Sequence, residues 1–388
     1  MYRGAGADVT LDTPLFFISG GGFMVGLFAA ALLWGNPRGN RTANRFLAML
    51  MLVSALNIVH PLLTLLRPAA FLPFLTEPVQ FLMAPLIATY ARQLMNHDHR
   101  FRPLFLLHLV PFAAVIGFSL SPLPGILNRG AAFPVSTVVV WTLLLAQVFA
   151  YVIPVFRRLE RYRAALLQQV SNTTGVDLGW VRWLMHVIYG LYVSYLFVLI
   201  FMIHGVNPLQ VRGFLSVALC IYICALAYRG LLQKETPRLE AASSEAATAE
   251  AATAEPASPE GAKYLRGSVP PDEARELCRR LEHVMESEKL YLDPDLDLSA
   301  LAAQVGAARN QLSYVINQNF GRNFYDFVNE YRVREVLRLM GDGARTNDKM
   351  LTLAFDAGFN SKPTFNAVFK KITGRTPSDY RLKNKKGF

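Results

Sequence analysis

The residues of this 388-residue chain that could do chemistry fall into two sets. One is basic: from Arg309 to the end there are 15 Lys and Arg against 7 acids, a balance suited to meeting phosphates. The other is a scatter of polar side chains in strongly apolar stretches, namely Asn57, His60, Glu77, Gln80, Trp141, His204 and Arg212. Polar groups in such surroundings are costly and often functional. They could line a ligand pocket, with His60, Glu77, Gln80 and Trp141 as its candidate residues, or they could serve neighbouring helices and interfaces. Cys220 and Cys224 lie one helical turn apart and Cys278 is far away, which is neither a disulfide framework nor a metal spacing. No nucleophile, metal or phosphate-loop constellation is visible, and Gly20 to Gly22 sit in an apolar run suited to close helix packing. The expectation is a protein that is not an enzyme, with no cofactor and no metal.

The elements that must position the basic set are helices. Leu277, Leu281, Val284 and Met285 recur at helical spacing, with Asp272 as the expected cap. Next, LDLSALAAQVGAARNQLSYVINQNFG reads as two short amphipathic helices broken around Gly306, where positive φ lets the chain turn sharply. A long helix follows from Phe324 to Met340, with apolar positions Phe324, Phe327, Val328, Tyr331, Val336 and Leu339. After the polar break GDGARTND, the stretch KMLTLAFDAGFNSKPTFNAVFKKITGRTPSDYR repeats the arrangement, with Gly358 where Gly306 stood.

The second unit closely resembles the signature of the AraC/XylS family of bacterial transcription regulators. The matching residues are Ala354, Gly358, Phe359, Ser361, Phe365, Phe369, Lys370, Gly374, Thr376, Pro377, Tyr380 and Arg381. The first unit is similar in LSALAAQVG, Leu312, Ser313, Gly321, Phe324 and the Tyr331-Arg332 pair, and the resemblance spans about residues 272 to 385. It implies two helix-turn-helix units placing Arg309 to Asn319 and Lys362 to Ile372 in successive major grooves of duplex DNA. The first helix would offer Arg309, Asn310, Gln311, Ser313 and Tyr314, and the second Ser361, Lys362, Thr364 and Asn366. Arg, Asn and Gln pair bidentately with purine edges, while Lys and Ser often take phosphates. Leu312, Ile316, Phe365 and Phe369 read as the buried face. Ala308 departs from the family pattern where a capping Ser is usual, as does Ala367 where a long polar residue often lies. The opening of the second apolar stretch, NRFLAMLMLVSALNIV, resembles the membrane-bound members of the family.

Before residue 230, seven apolar stretches are long enough to cross a bilayer: Leu15 to Trp34, Phe46 to Leu66, Phe71 to Met95, Leu104 to Ser121, Ser136 to Phe156, Val181 to His204 and Val211 to Tyr228. The first is read as a retained span rather than a cleaved signal. Glu77, Pro78, Pro85 and Pro111 interrupt the third and fourth, leaving six or eight spans as alternatives. Because Lys and Arg gather in cytoplasmic loops, an outside amino terminus is favoured: it puts eleven arginines inside against four outside. The expected fold is therefore all-α, with a membrane domain of about seven spans at 1–232, an Ala/Glu/Ser/Thr/Pro-rich tether at 233–270 and a domain of two helix-turn-helix units at 271–388. The expected location is a bacterial inner membrane, multi-pass, with the last domain in the cytoplasm. Expected partners are duplex DNA, membrane lipid, an unidentified signal ligand and, if operators come as repeats, a second copy of the chain. A loop around residues 157–183 opens with an Arg-rich amphipathic helix, read either as a relay to the DNA-binding domain or as a segment attracted to anionic lipid. The function expected is a membrane-embedded regulator that couples a signal to promoter binding. The alternative is a multi-span receptor or transporter whose last domain binds a protein partner.

Overall fold

In a computed structural model of the chain, residues 9–37, 39–65, 78–95, 103–129, 135–203, 208–233, 269–345 and 348–385 are described. Among them the regular structure is helical, with an isolated antiparallel bridge between Val170 and Asp297. The chain divides into two compact units, Met1–Glu160 with Leu178–Arg238, and Arg161–Asp177 with Leu239–Phe388. Residues 161–177 thus group with the carboxyl-terminal unit, although their place in the chain assigns them to the apolar half. Glu77 and nearly all of the expected tether lie outside the described residues.

The first unit contains α1 (Val9–Gly35), α2 (Arg41–Leu65), α3 (Met83–Met95), α4 (Val110–Leu120), α5 (Leu123–Leu127), α6 (Val135–Leu167, up to Glu160), α7 (Gly179–Ile203) and α8 (Pro208–Leu231). Each of the seven apolar stretches carries helix. Three helices are both long and apolar enough to cross a membrane among the described residues: Phe17–Gly35, Arg41–His60 and Val135–Leu167. The third stretch is not one described helix. Pro78 opens a 3-10 segment to Leu82, and the 13 residues of α3 rise about 20 Å, short of the roughly 30 Å hydrocarbon layer. The fourth begins with a 3-10 segment from Pro103 to Leu109, and Pro111 sits in the first turn of α4, where its missing N–H costs nothing. α1 packs along α2 and α8, and α2 also packs against α3. The close approach uses Gly22 and Gly26: a Cβ at Gly26 would come 2.7 Å from the Ala55 Cβ, and one at Gly22 would strike Cys220 and Ile58. Gly20 and Gly21 face open space, so of the run only Gly22 makes the close contact, together with Gly26 one turn further on.

The second unit is α9 (Pro271–His283), α10 (Leu298–Val305), α11 (Arg309–Asn319), α12 (Phe324–Gly341), α13 (Met350–Asp356), α14 (Lys362–Thr373) and α15 (Pro377–Lys385), joined by residues 161–177. Asp272 is not the cap of α9. Pro270 holds that position, Pro271 takes the first helical place, and Asp272 stands in the first turn facing the helix dipole. Two cores form. Around the first lie Leu281, Met285, Leu301, Leu312, Val315, Ile316, Phe327 and Val328, and around the second Val333, Val336, Leu353, Phe359, Phe365 and Phe369. α12 serves both, its first half buried in one and its second half in the other. This is why one long helix with apolar residues every three or four positions can hold two otherwise separate units.

Candidate nucleic-acid interface

The first two-helix unit is α10 and α11. Asp297 caps α10 by accepting from the Ala300 N–H at 2.8 Å, and Gly306 ends it in the left-handed region with φ 69°. Ala308 stands at the N-cap of α11 with no acceptor to offer. Gln311 makes up part of the deficit, because its Oε1 accepts from the Ala308 N–H at 3.1 Å while its Nε2 donates to Glu273 at 3.1 Å. Gln311 is therefore engaged in holding its own helix. Tyr314 packs against the first core, Arg309 and Ser313 are half-buried, and Asn310 is exposed. Leu312 and Ile316 are fully buried, as their spacing requires.

In the second unit, Gly358 turns the chain between α13 and α14 with φ 89°. Ser361 caps α14: its Oγ accepts from the Thr364 N–H at 3.3 Å and donates to the Thr364 Oγ1 at 2.8 Å. Lys362 and Asn366 are exposed and Ser361 and Thr364 half-buried, while Phe365 and Phe369 fill the core. The leading turn of α14 thus presents hydroxyls and an ammonium group at a helix N-terminus, where the helix dipole favours anions. Further along, Lys371 is taken up by Asp326 at 2.7 Å, which ties the end of α14 to the start of α12.

Between the two units stands Arg332 of α12, 1% exposed. Its Nε donates to the Tyr291 carbonyl at 2.8 Å, and its Nη2 to the Asp293 carbonyl at 2.7 Å and the Ser171 Oγ at 3.0 Å. Nη1 donates to the Ser171 carbonyl at 3.2 Å, which also accepts from the Asn329 Nδ2 at 3.0 Å. The guanidinium sits over the Phe359 ring at 6.0 Å. Burial pushes its pKa down to about 10, so it remains charged at neutral pH and is held by carbonyl dipoles. Beside it, the Glu335 carboxyl is held below the usual range by the Arg338 hydrogen bond, and burial together with Glu335 pushes the Tyr291 phenol up to about 12. Sequence reasoning found Arg332 only as part of a family match, and did not find Asn329 or Ser171. A charged residue on the apolar stripe of α12 was the available signal.

Of the residues expected to line a ligand pocket, His60 is buried near the end of α2, Gln80 is half-buried in the 3-10 segment before α3, and Trp141 is half-buried on α6. The Gln80 carbonyl accepts from the Tyr192 hydroxyl at 3.4 Å. Glu77 lies outside the described residues. A small cavity of about 10 Å³ in this unit is apolar, with Ala84, Ile87, Val148, Tyr151, Met185 and Ile188 in its wall, and none of the three described residues borders it.

Residues 301–383 match the family model of the helix-turn-helix domain. Over 102 residues the chain is 31% identical to an uncharacterised HTH-type transcriptional regulator of Staphylococcus aureus (strain COL), which is 26% of this chain and 13% of that protein. Over 115 residues it is 26% identical to the arabinose operon regulatory protein of Escherichia coli (strain K12), covering 29% of this chain and 36% of that protein. The similarity therefore spans about an eighth to a third of the length of these relatives. No solved structure gives a significant match.

Proposed function

Because the carboxyl-terminal domain of this chain is an AraC-type helix-turn-helix domain, we propose that the protein is a membrane-embedded transcription regulator that reads duplex DNA with α11 and α14. The observation that carries this is the repeated unit itself. Two helices, α14 capped by Ser361 and α11 braced by Gln311, begin with polar turns and are joined by one linking helix of 18 residues, about 27 Å long. Arg309, Asn310 and Asn366 suit base edges, while Ser361, Lys362 and Thr364, at a helix N-terminus, suit phosphate. Gln311 and Tyr314 contribute to the helix and core that hold these residues.

The bilayer part of the proposal rests on exposure and charge. Phe17, Met24, Phe28 and Leu32 on α1, with Val139, Leu143 and Ile153 on α6, are exposed large apolar side chains on long apolar helices. Water penalises such a surface and lipid does not. The arginine bias in the expected loops supports an amino terminus outside and a carboxyl terminus in the cytoplasm of a bacterial cell. His60, Glu77, Gln80 and Trp141 remain the proposed contacts for an outside or lipid-borne signal.

Two measurements test these statements. Genome-wide mapping of DNA bound by the tagged intact protein is expected to give discrete promoter sites that disappear when Arg309 and Lys362 are both changed to Ala. Binding of such a site should also weaken steeply with salt, the slope falling by about one for each phosphate contact removed. Unchanged maps in the double variant would refute the assignment of the reading helices. A reporter fused after Phe388 that proved to lie outside the cell would refute the topology.

A further inference from the structure

The short segment Gln168–Thr174 is gripped by the second unit along its whole length. Gln168 Oε1 accepts from the Asn317 Nδ2 of α11 at 3.1 Å, and the Gln169 carbonyl accepts from the Leu298 N–H at 2.9 Å beside the Val170–Asp297 bridge. Ser171 is fully buried: its Oγ donates to the Leu296 carbonyl at 2.6 Å, and its own carbonyl takes the Asn329 and Arg332 bonds described above. At the far end the Thr174 Oγ1 lies 3.2 Å from the Ser361 Oγ, 3.3 Å from the Asn360 Oδ1 and 3.4 Å from the Thr364 Oγ1. The segment therefore reaches one reading helix at Gln168 and the leading turn of the other at Thr174, crossing the linking helix in between.

We propose that Gln168–Thr174 is an autoinhibitory strap that, when docked, takes the place of the DNA backbone between the two reading helices. This rests on the DNA-reading assignment of α11 and α14. The Ser361 and Thr364 hydroxyls at the N-terminus of α14 suit a phosphate, and a threonine hydroxyl stands there instead. The grip consists of hydrogen bonds to main-chain groups, polar side chains and the Arg332 guanidinium, with Ser171 rather than a large apolar residue at its centre. Water can replace such bonds, so release is cheap compared with breaking a core. Arg332 keeps its bonds to Tyr291 and Asp293 after release, and both cores are built from other residues, so the domain survives undocking. In sequence the strap lies between α6 and α7, two helices proposed to sit in the bilayer. A rearrangement there reaches the strap directly along the chain, without passing through the tether at 233–270. Strap and DNA compete for one surface, so a signal that favours undocking raises DNA affinity by the fraction of molecules it frees.

The test uses the full chain in lipid nanodiscs and a labelled mixed-sequence duplex of about 30 base pairs, roughly three turns, at low salt. In the double variant Thr174→Cys with Ser361→Cys, the γ positions stand close enough to form a disulfide on mild oxidation, and either single variant is the control for the native cysteines. The expected result is that the cross-linked protein binds the duplex roughly tenfold or more weakly than the same protein after reduction, as when about a tenth of molecules are competent. Ser171→Trp, too bulky for its buried site, is expected to undock the strap and bind more tightly than the unmodified chain. Failure of the cross-link to form would show that the segment is not docked, and equal binding by oxidised and reduced forms would show that it does not compete. Either overturns the proposal. If the cross-link forms but neither the reduced form nor Ser171→Trp binds duplex at any salt, the DNA-reading assignment falls, and the strap with it.

Discussion

Gly306 and Gly358 occupy equivalent turns, yet replacing each by alanine should have different costs. Both have positive φ, 69° and 89°, so each variant carries a similar left-handed penalty of roughly 1–2 kcal/mol. At Gly306 a new Cβ would meet only the Arg280 Nη1, at 3.5 Å, which is ordinary contact with a flexible side chain. At Gly358 it would stand 2.9 Å from the Leu292 carbonyl oxygen and closer still to that of Tyr291. Those carbonyls cannot easily retreat, because Arg332 holds the Tyr291 carbonyl at 2.8 Å. The extra crowding should add about 1–3 kcal/mol, the usual cost of overpacking. Hydrogen exchange of α12 amides, which both cores share, reads the difference in the full chain. Since about 1.4 kcal/mol is tenfold, Gly358→Ala should accelerate exchange roughly five- to a hundredfold more than Gly306→Ala. Equal acceleration in the two variants would refute the close backbone approach at Gly358.

Two other outcomes follow from the same unit. Ala308 has the extended backbone of an N-cap, φ −68° and ψ 142°, but no acceptor, so Ala308→Ser should stabilise α11 by about 1 kcal/mol, seen as roughly fivefold slower exchange of its first-turn amides. The Tyr291 phenol, raised from 10 to about 12, holds its proton more tightly folded than unfolded. Its contribution to stability is therefore complete below pH 10 and is lost as pH rises towards 12. The urea midpoint for proteolytic protection of residues 269–385 should fall over that interval by more in the unmodified chain than in Tyr291→Phe. A parallel fall in both would remove Tyr291 as the cause.

Much of the second unit was legible in the amino acids alone, because its signals are local and periodic. The spacing of Leu312 with Ile316, and of Phe365 with Phe369, marked faces that are buried, and the two glycines marked the turns between helices. Helix bounds agree to within a residue for α12 and α14. The polar residues were harder to sort. A glutamine on a leading turn looks the same whether it reads a base or closes its own cap, and only the Gln311–Ala308 and Gln311–Glu273 bonds reveal that Gln311 is occupied. Tyr314 likewise looked outward until its packing against the first core was seen.

By itself, then, the sequence determined an all-helical chain with apolar helices first and a doubled two-helix motif last, since helical periodicity and glycine turns are set by residues three to seven positions apart. Tertiary structure alone decided that residues 161–177 belong with the last unit, that Gly22 of the glycine run and Gly26 beyond it, but not Gly20 or Gly21, admit neighbouring helices, and that Arg332 is spent on carbonyls. The Ser171 bonds to Leu296 and Arg332 join positions 125 and 161 residues apart. Hydrogen bonds of that reach leave no periodic trace, because each depends on where two distant backbones happen to meet and not on the pattern of either.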